Sequence, residues 1–192
     1  MVIGIVGKVG SGKSACIKFI KEHYGDYDIK VFSCDEIAKE IIEHDEVDYK
    51  GKNVTPYIFF TEQKYQDEAR EKIHPLVFKK IRDEICNEKV EKNNQNENTM
   101  SMQIIESALP SELMYDLCDK TIYIYTRYDV ALERLKKSRD YAEAQARLIY
   151  DSQKYYEKFY EKADYKIDNN TDEETFLKHL EEVVDEICII CK

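Results

Sequence analysis

The sequence predicts an α/β fold built on a five-stranded, mainly parallel sheet with helices on both faces. Three observations predict it. Short apolar runs alternate with helical periodicity along most of the chain. The first run, residues 2–6, leads straight into Gly7-Lys8-Val9-Gly10-Ser11-Gly12-Lys13-Ser14, and helical periodicity follows directly. Each later run is also followed by helix-forming sequence, as parallel crossovers require. The 192 residues suit one domain, 1–192, and 43% hydrophobic residues supply an ordinary core.

The elements follow in order. The first helix starts near Lys13, carries Ile17, Phe19 and Ile20, and ends before Gly25 and Asp26. Residues 29–32 form the second strand. Asp35 comes almost at once, then a helix with Ile37, Ala38, Ile41 and Ile42. Residues 45–57 are polar and interrupted by Gly51 and Pro56, so they read as a loop or the edge of a small subdomain. Residues 62–93 are helix-rich. Pro75 divides them, because it lacks an amide hydrogen and crowds the preceding turn. The asparagine-rich tract 91–99 reads as a flexible surface connection. Residues 102–105 make a buried third strand ending in Glu106, and 121–125 a fourth ending in Thr126. Helical patterns cover 129–137 and 141–160, and 165–168 is a short last strand leaving through Asn169-Asn170. Thr171, with Glu174 three residues on, predicts a capping box for the final helix. That helix has one apolar stripe, Phe176, Leu177, Leu180, Val183, Val184 and Ile187, suited to packing on the sheet.

The formal net charge of -10 argues against binding along nucleic-acid backbones, where basic groups supply the attraction. A local basic pocket for a small phosphorylated substrate is compatible with it. The opening residues are too short and lack the basic leader of a secretory signal. No apolar run is long enough to span a bilayer. A cytoplasmic protein without membrane contact is expected, and a monomer suffices. Six scattered cysteines, Cys16, Cys34, Cys86, Cys118, Cys188 and Cys191, read as free thiols in a reducing compartment rather than a metal site or disulfides.

Chemistry concentrates in the Gly-rich segment. In G-x-x-x-x-G-K-S after a strand and before a helix, the glycines turn backbone amides toward phosphate oxygens, and the helix N-terminus reinforces the anion site. Residues Gly7 to Ala15 are therefore the expected ATP contacts. Lys13 is expected on the β- and γ-phosphates and the Ser14 hydroxyl on Mg2+. Phosphoryl transfer needs alignment, charge neutralisation and a placed acceptor. Asp35, at the end of the second strand, is positioned to bind the acceptor hydroxyl and take its proton. Its alternative is to cap the following helix, with Ser33 as competitor. Glu106 is expected to approach Mg2+ or orient the acceptor, against a loop or capping role. Arg134, Arg139 and Arg147 form the densest cationic cluster of the later half, on an otherwise acidic chain. Arg139 suits a lid over the transferring phosphate, Arg134 suits the nucleotide phosphates or else a pairing with Asp129 or Glu133, and Arg147 reads as a surface residue, against a catalytic role.

The ordered set of motifs resembles the dephospho-coenzyme A kinase family. The similarity runs through Ile3-Gly4-Ile5-Val6-Gly7, Gly12-Lys13-Ser14 and Val31 to Ala38. It continues in Glu71-Lys72-Ile73-His74-Pro75, Ile104 to Leu109 with Glu112, Arg134-Leu135 with Arg139, Gln153, and Ala163 to Asn169. The resemblance implies a P-loop core, a helical acceptor-binding subdomain near 39–92 and a lid near 134–152. It also implies transfer of the ATP γ-phosphate to the ribose 3'-hydroxyl of dephospho-coenzyme A, with Asp35 as base. Ser33 stands in place of the family's first acidic residue after strand two. The stretch between Asp35 and His74 is shorter and lacks the family's Phe-Gly segment. Ala108 and Pro110 replace a Pro-Leu-Leu run, and Ile149 occupies the arginine position four residues before Gln153. The alternatives are a nucleoside or nucleoside monophosphate kinase, or a nucleotide-dependent switch ATPase.

Overall fold

Five parallel strands, β1 (Val2–Val6), β2 (Asp28–Ser33), β3 (Ser101–Ser107), β4 (Lys120–Tyr125) and β5 (Tyr165–Asp168), lie in the order β2-β3-β1-β4-β5. The coordinates are a computed structural model describing residues 1–44, 47–95, 100–139, 142–170 and 172–191; the side chains of 56, 57, 89–95, 138 and 139 lie outside the description.

Two helical layers cover the sheet because each strand turns alternate residues to opposite faces. Ile3 and Ile5 point, with Met102, Ile104, Ile122, Ile124 and Ile167, toward α1 (Lys13–His23) and α10 (Glu173–Ile190). On that side Cys16, Phe19 and Ile20 meet Phe176, Leu180, Val183, Val184 and Ile187, the predicted stripe. Val2, Val6, Phe32, Ile105 and Tyr123 face the other way, under α2 (Cys34–Glu43) and α5 (His74–Gln95). Each fully buried aliphatic chain of this kind contributes about 1.5–3 kcal/mol of transfer free energy.

Between α2 and α5 lie a short 3-10 turn (Lys50–Asn53), α3 (Pro56–Thr61) and α4 (Gln63–Lys72). Pro75 divides α4 from α5 as expected. Pro56 does not interrupt a loop: it opens α3 at the first helical position, where its missing N–H costs nothing, and Thr55 Oγ1 caps it by accepting the Ile58 N–H at 3.3 Å. Residues 91–95 correct the loop expectation too. They extend α5, because Lys, Glu and Gln propagate a helix already anchored by Val77, Phe78, Ile81 and Ile85. Residues 96–99 lie outside the described residues.

The chain then passes through α6 (Glu112–Tyr115), α7 (Tyr128–Arg139) and α8 (Glu143–Ser152). The helical pattern expected over 141–160 is broken: a 3-10 turn (Gln153–Glu157) separates α8 from α9 (Lys158–Lys162). The break directs the Gln153 side chain inward, where its Oε1 accepts the Val9 N–H at 2.8 Å. The last helix is capped by Asp172, whose carboxylate accepts the Thr175 N–H at 2.9 Å, one residue later than expected. Thr171 lies outside the described residues.

Candidate active site

The cleft of about 1290 Å³ opens where β1, β2 and β3 end and α1 and α2 begin. Ligands of open α/β sheets bind at this edge, beyond the carboxyl ends of the strands. Gly10 at φ 78° and Gly12 at φ 103° turn the loop between β1 and α1. A Cβ on Gly12 would collide with Asn169 Nδ2, so this position requires glycine for space as well as conformation. The loop is held from outside by Gln153, as described, and by Asn169 Nδ2 and Thr126 Oγ1, which donate to the Ser11 carbonyl at 2.8 and 3.1 Å.

Lys13, Ser14, Asp35, Glu106 and Arg134 all line this cleft. Lys13 Nζ folds over the loop, donating to the carbonyls of Gly7 at 2.9 Å and Lys8 at 3.4 Å, and lies 3.6 Å from Glu106 Oε1. Burial pushes the Glu106 carboxyl above the usual carboxylate range, and Lys13 opposes the shift. Glu106 lies inside β3, one residue before its end. The cap of α2 falls to Ser33, whose Oγ accepts the Glu36 N–H at 3.4 Å. Asp35 is thereby left exposed in the first helical turn, on the cleft.

Other expected residues divide. Gly10, Gly12, Ala15 and Val9 line the cleft, whereas Gly7 and Ser11 lie behind it. The Lys8 side chain turns away: its ammonium pairs with Glu157 Oε1 at 2.6 Å and sits 4.1 Å from the centre of the Tyr150 ring. The Lys8 side chain thus makes a loop-to-helix tie between its buried ammonium, the exposed Glu157 carboxylate and an aromatic face. Arg134 reaches Asn169 Oδ1 at 3.1 Å through Nη2, and its Nη1 is buried with no hydrogen-bond partner among the described residues. Arg139 ends α7, and its side chain is outside the described atoms. Arg147 pairs with Glu143 at 2.7 Å on the surface. His74 does not line the cleft; it meets Phe78 edge-on. All six cysteines are free, and among the described residues no cluster of His, Cys, Asp or Glu is arranged to hold a metal on its own.

Several cleft residues carried no sequence signal. Phe59, Lys52, Lys39 and Ile42 form the wall opposite the loop, on α2, α3 and the 3-10 turn. Ile149 is buried with Val9, Leu135, Ala146 and Tyr150, and Phe60 of α3 packs against that cluster. An arginine there would be desolvated among apolar side chains. Asn169 and Gln153 were legible only as a strand-exit turn and a family position. Their signal is a lone amide side chain at an element end that must be buried.

A glycine-rich loop with a lysine folded over it, an acidic residue at the next strand end and an arginine beyond define a P-loop phosphotransferase. A dephospho-CoA kinase family model matches residues 1–174. The chain therefore belongs to the dephospho-CoA kinase family, whose activity is the ATP-dependent phosphorylation of dephospho-CoA. Two curated dephospho-CoA kinases are similar. The one from Fusobacterium nucleatum is 28% identical over 97% of this chain and 98% of its own. The one from Oceanobacillus iheyensis is 28% identical over 76% of this chain and 77% of its own. The dephospho-CoA kinase structure from Campylobacter jejuni shares the fold at a TM-score of 0.54 and 21% identity, covering 97% of this chain and 96% of that one.

Proposed function

We propose that the cleft places ATP along the loop between β1 and α1 and dephospho-CoA against α2 and α3, with Asp35 between them. Asp35 accepts the proton of the ribose 3'-hydroxyl as that oxygen bonds to the γ-phosphorus and the bond to the β-phosphate oxygen breaks. ADP leaves with the electron pair of that bond. The observation that carries this reading is the shared cleft itself, onto which Lys13, Ser14, Asp35, Glu106 and Arg134 all open. Catalysis of this kind rests on positioning and neutralised charge.

Lys13 now bonds its own loop carbonyls, and phosphate oxygens offer the same ammonium a stronger, charged acceptor. The loop amides take the phosphates, Arg134 the nucleotide, and Arg139 the transferring group. The donors fit Mg2+: the Ser14 hydroxyl and Glu106 carboxylate are hard oxygens, too few to cage an ion and suited to share it with phosphates and water. These residues would hold the ion, which neutralises phosphate charge when bound. Residues 39–92 form the acceptor side, where Lys39 and Lys52 offer charge to a pyrophosphate and Phe59, Ile42 and Leu109 offer apolar wall to the pantetheine arm. Residues 134–152 form the lid, which meets α3 through Phe60.

Six free thiols and the acidic surface support a cytoplasmic enzyme that does not bind nucleic acid, and a cleft lined by one chain suits a monomer. Among the described residues no helix is long and apolar enough to cross a membrane. Asp35→Asn tests the site reading. Coenzyme A formation should fall about 10²–10⁴-fold while ATP and dephospho-CoA still bind. Unchanged turnover would remove Asp35 from the chemistry.

A further inference from the structure

We propose that Asn169 is a positioning residue for ATP, setting Arg134 and the phosphate loop with a single side chain. The proposal rests on the reading of Arg134 as a nucleotide ligand. Asn169 follows β5 and is 5% exposed. Its backbone N–H donates to the Tyr125 carbonyl at 2.9 Å, which fixes the residue to the end of β4. The amide then faces two groups of opposite hydrogen-bonding character. Nδ2 donates to the Ser11 carbonyl at 2.8 Å, and Oδ1 accepts from Arg134 Nη2 at 3.1 Å. A carbonyl only accepts and a guanidinium only donates, so one orientation of the amide satisfies both. Aspartate lacks the donor, lysine lacks the acceptor, and leucine lacks both.

The geometry around this amide points to ligand binding rather than to stability alone. Arg134 lines the cleft with Lys13 and Ser14, and its Nη1 is buried with no hydrogen-bond partner among the described residues. A buried guanidinium N–H without an acceptor is costly unless a ligand completes it. By occupying Nη2, Asn169 fixes the guanidinium plane and thus the direction of Nη1. The same amide abuts Gly12, the residue before Lys13, so that the arginine and the loop are set relative to each other. The turn itself does not depend on this side chain. Asn170 Oδ1 accepts the Arg127 N–H at 2.7 Å, and Asp168 Oδ1 accepts the Asn170 N–H at 2.8 Å.

The test is a double-mutant cycle on the full chain, reading coenzyme A formation with each substrate varied. Asn169→Ala should raise KM for ATP about 10-fold or more, with KM for dephospho-CoA within about twofold of native. Arg134→Ala should raise KM for ATP by a similar factor. The double variant should fall short of the product of the two single effects by about fivefold or more, because the amide acts partly through the guanidinium. Thermal melting checks that each variant is folded. Asn169→Ser, which keeps a polar group in the turn, repeats the cycle should alanine unfold the chain. Single effects that multiply within about twofold would show that Asn169 does not act through Arg134, and overturn the proposal. An Arg134→Ala variant with native KM for ATP would instead remove Arg134 from the nucleotide site, and the proposal with it.

Discussion

The proposed phosphate side of the cleft and the proposed acceptor side are built differently. On the phosphate side, the side chains that hold the loop sit at element ends and are buried: Asn169 and Thr126 after strands, and Gln153 after α8, each fix a loop backbone group. On the acceptor side, the wall comes from α2, α3 and a 3-10 turn. Lys39 and Lys52 are exposed, Phe59 is half-buried, and Lys39 pairs with Glu43 across 3.6 Å of open surface. Buried hydrogen bonds fix geometry, whereas exposed ion pairs contribute little and rearrange easily. Under the proposed assignment, the difference predicts a preorganised site for the phosphates and an acceptor wall able to rearrange on binding.

The largest expected effect breaks the phosphate side. Lys13→Ala should reduce coenzyme A formation by about 10³-fold or more in steady-state assays, since among the described residues no other side chain in the cleft is so placed over the loop. Glu106→Gln comes next, with a loss of about 10–10²-fold at neutral pH. Burial raises the pKa of Glu106, so the ionised form is lost at higher pH than for an ordinary glutamate. Activity should therefore decline as pH falls through this raised value, and the glutamine variant should lack that limb of the pH–rate profile. Phe59→Ala sharpens the comparison from the other side. KM for dephospho-CoA should rise about 5–10-fold, with KM for ATP within about twofold.

The smallest effect concerns stability at the helix junction. His74 is pulled down to about 4 by burial and then by the Arg70 charge. The unfolded chain takes up this proton near pH 6.5. The stabilisation is thus complete above that pH and is lost as pH falls from 6.5 toward 4. Chemical denaturation of His74→Gln should show an acid dependence shallower by about 1–3 kcal/mol over that window.

All five strands, the loop and α1 were legible in the sequence, because apolar runs and the glycine spacing report local physics directly. The helix boundaries that failed were decided by other forces. Pro56 looked like a breaker and serves as a first helical residue, a distinction that depends on Thr55 being free to cap. The asparagines at 93 and 94 signalled a loop, but the buried stripe of α5 carries the helix through them. Of the candidate site, Lys13 and Ser14 were readable from the glycine spacing, and Asp35 and Glu106 from their place near strand ends. The Lys8 side chain, turned onto Glu157 and Tyr150, was not, because its partners lie about 150 residues away in sequence. The hold of Asn169 on Ser11, 158 residues away, was hidden for the same reason.

Turnover of the native chain with ATP, Mg2+ and alternative acceptors tests the central claim most directly. Coenzyme A would be measured as product, with nucleosides and nucleoside monophosphates offered in parallel. The account predicts efficient formation of coenzyme A from dephospho-CoA and little transfer to the smaller acceptors. Rapid phosphorylation of a nucleoside or nucleotide, with dephospho-CoA inert, would contradict it and place the error in the wall formed by α2, α3 and the 3-10 turn.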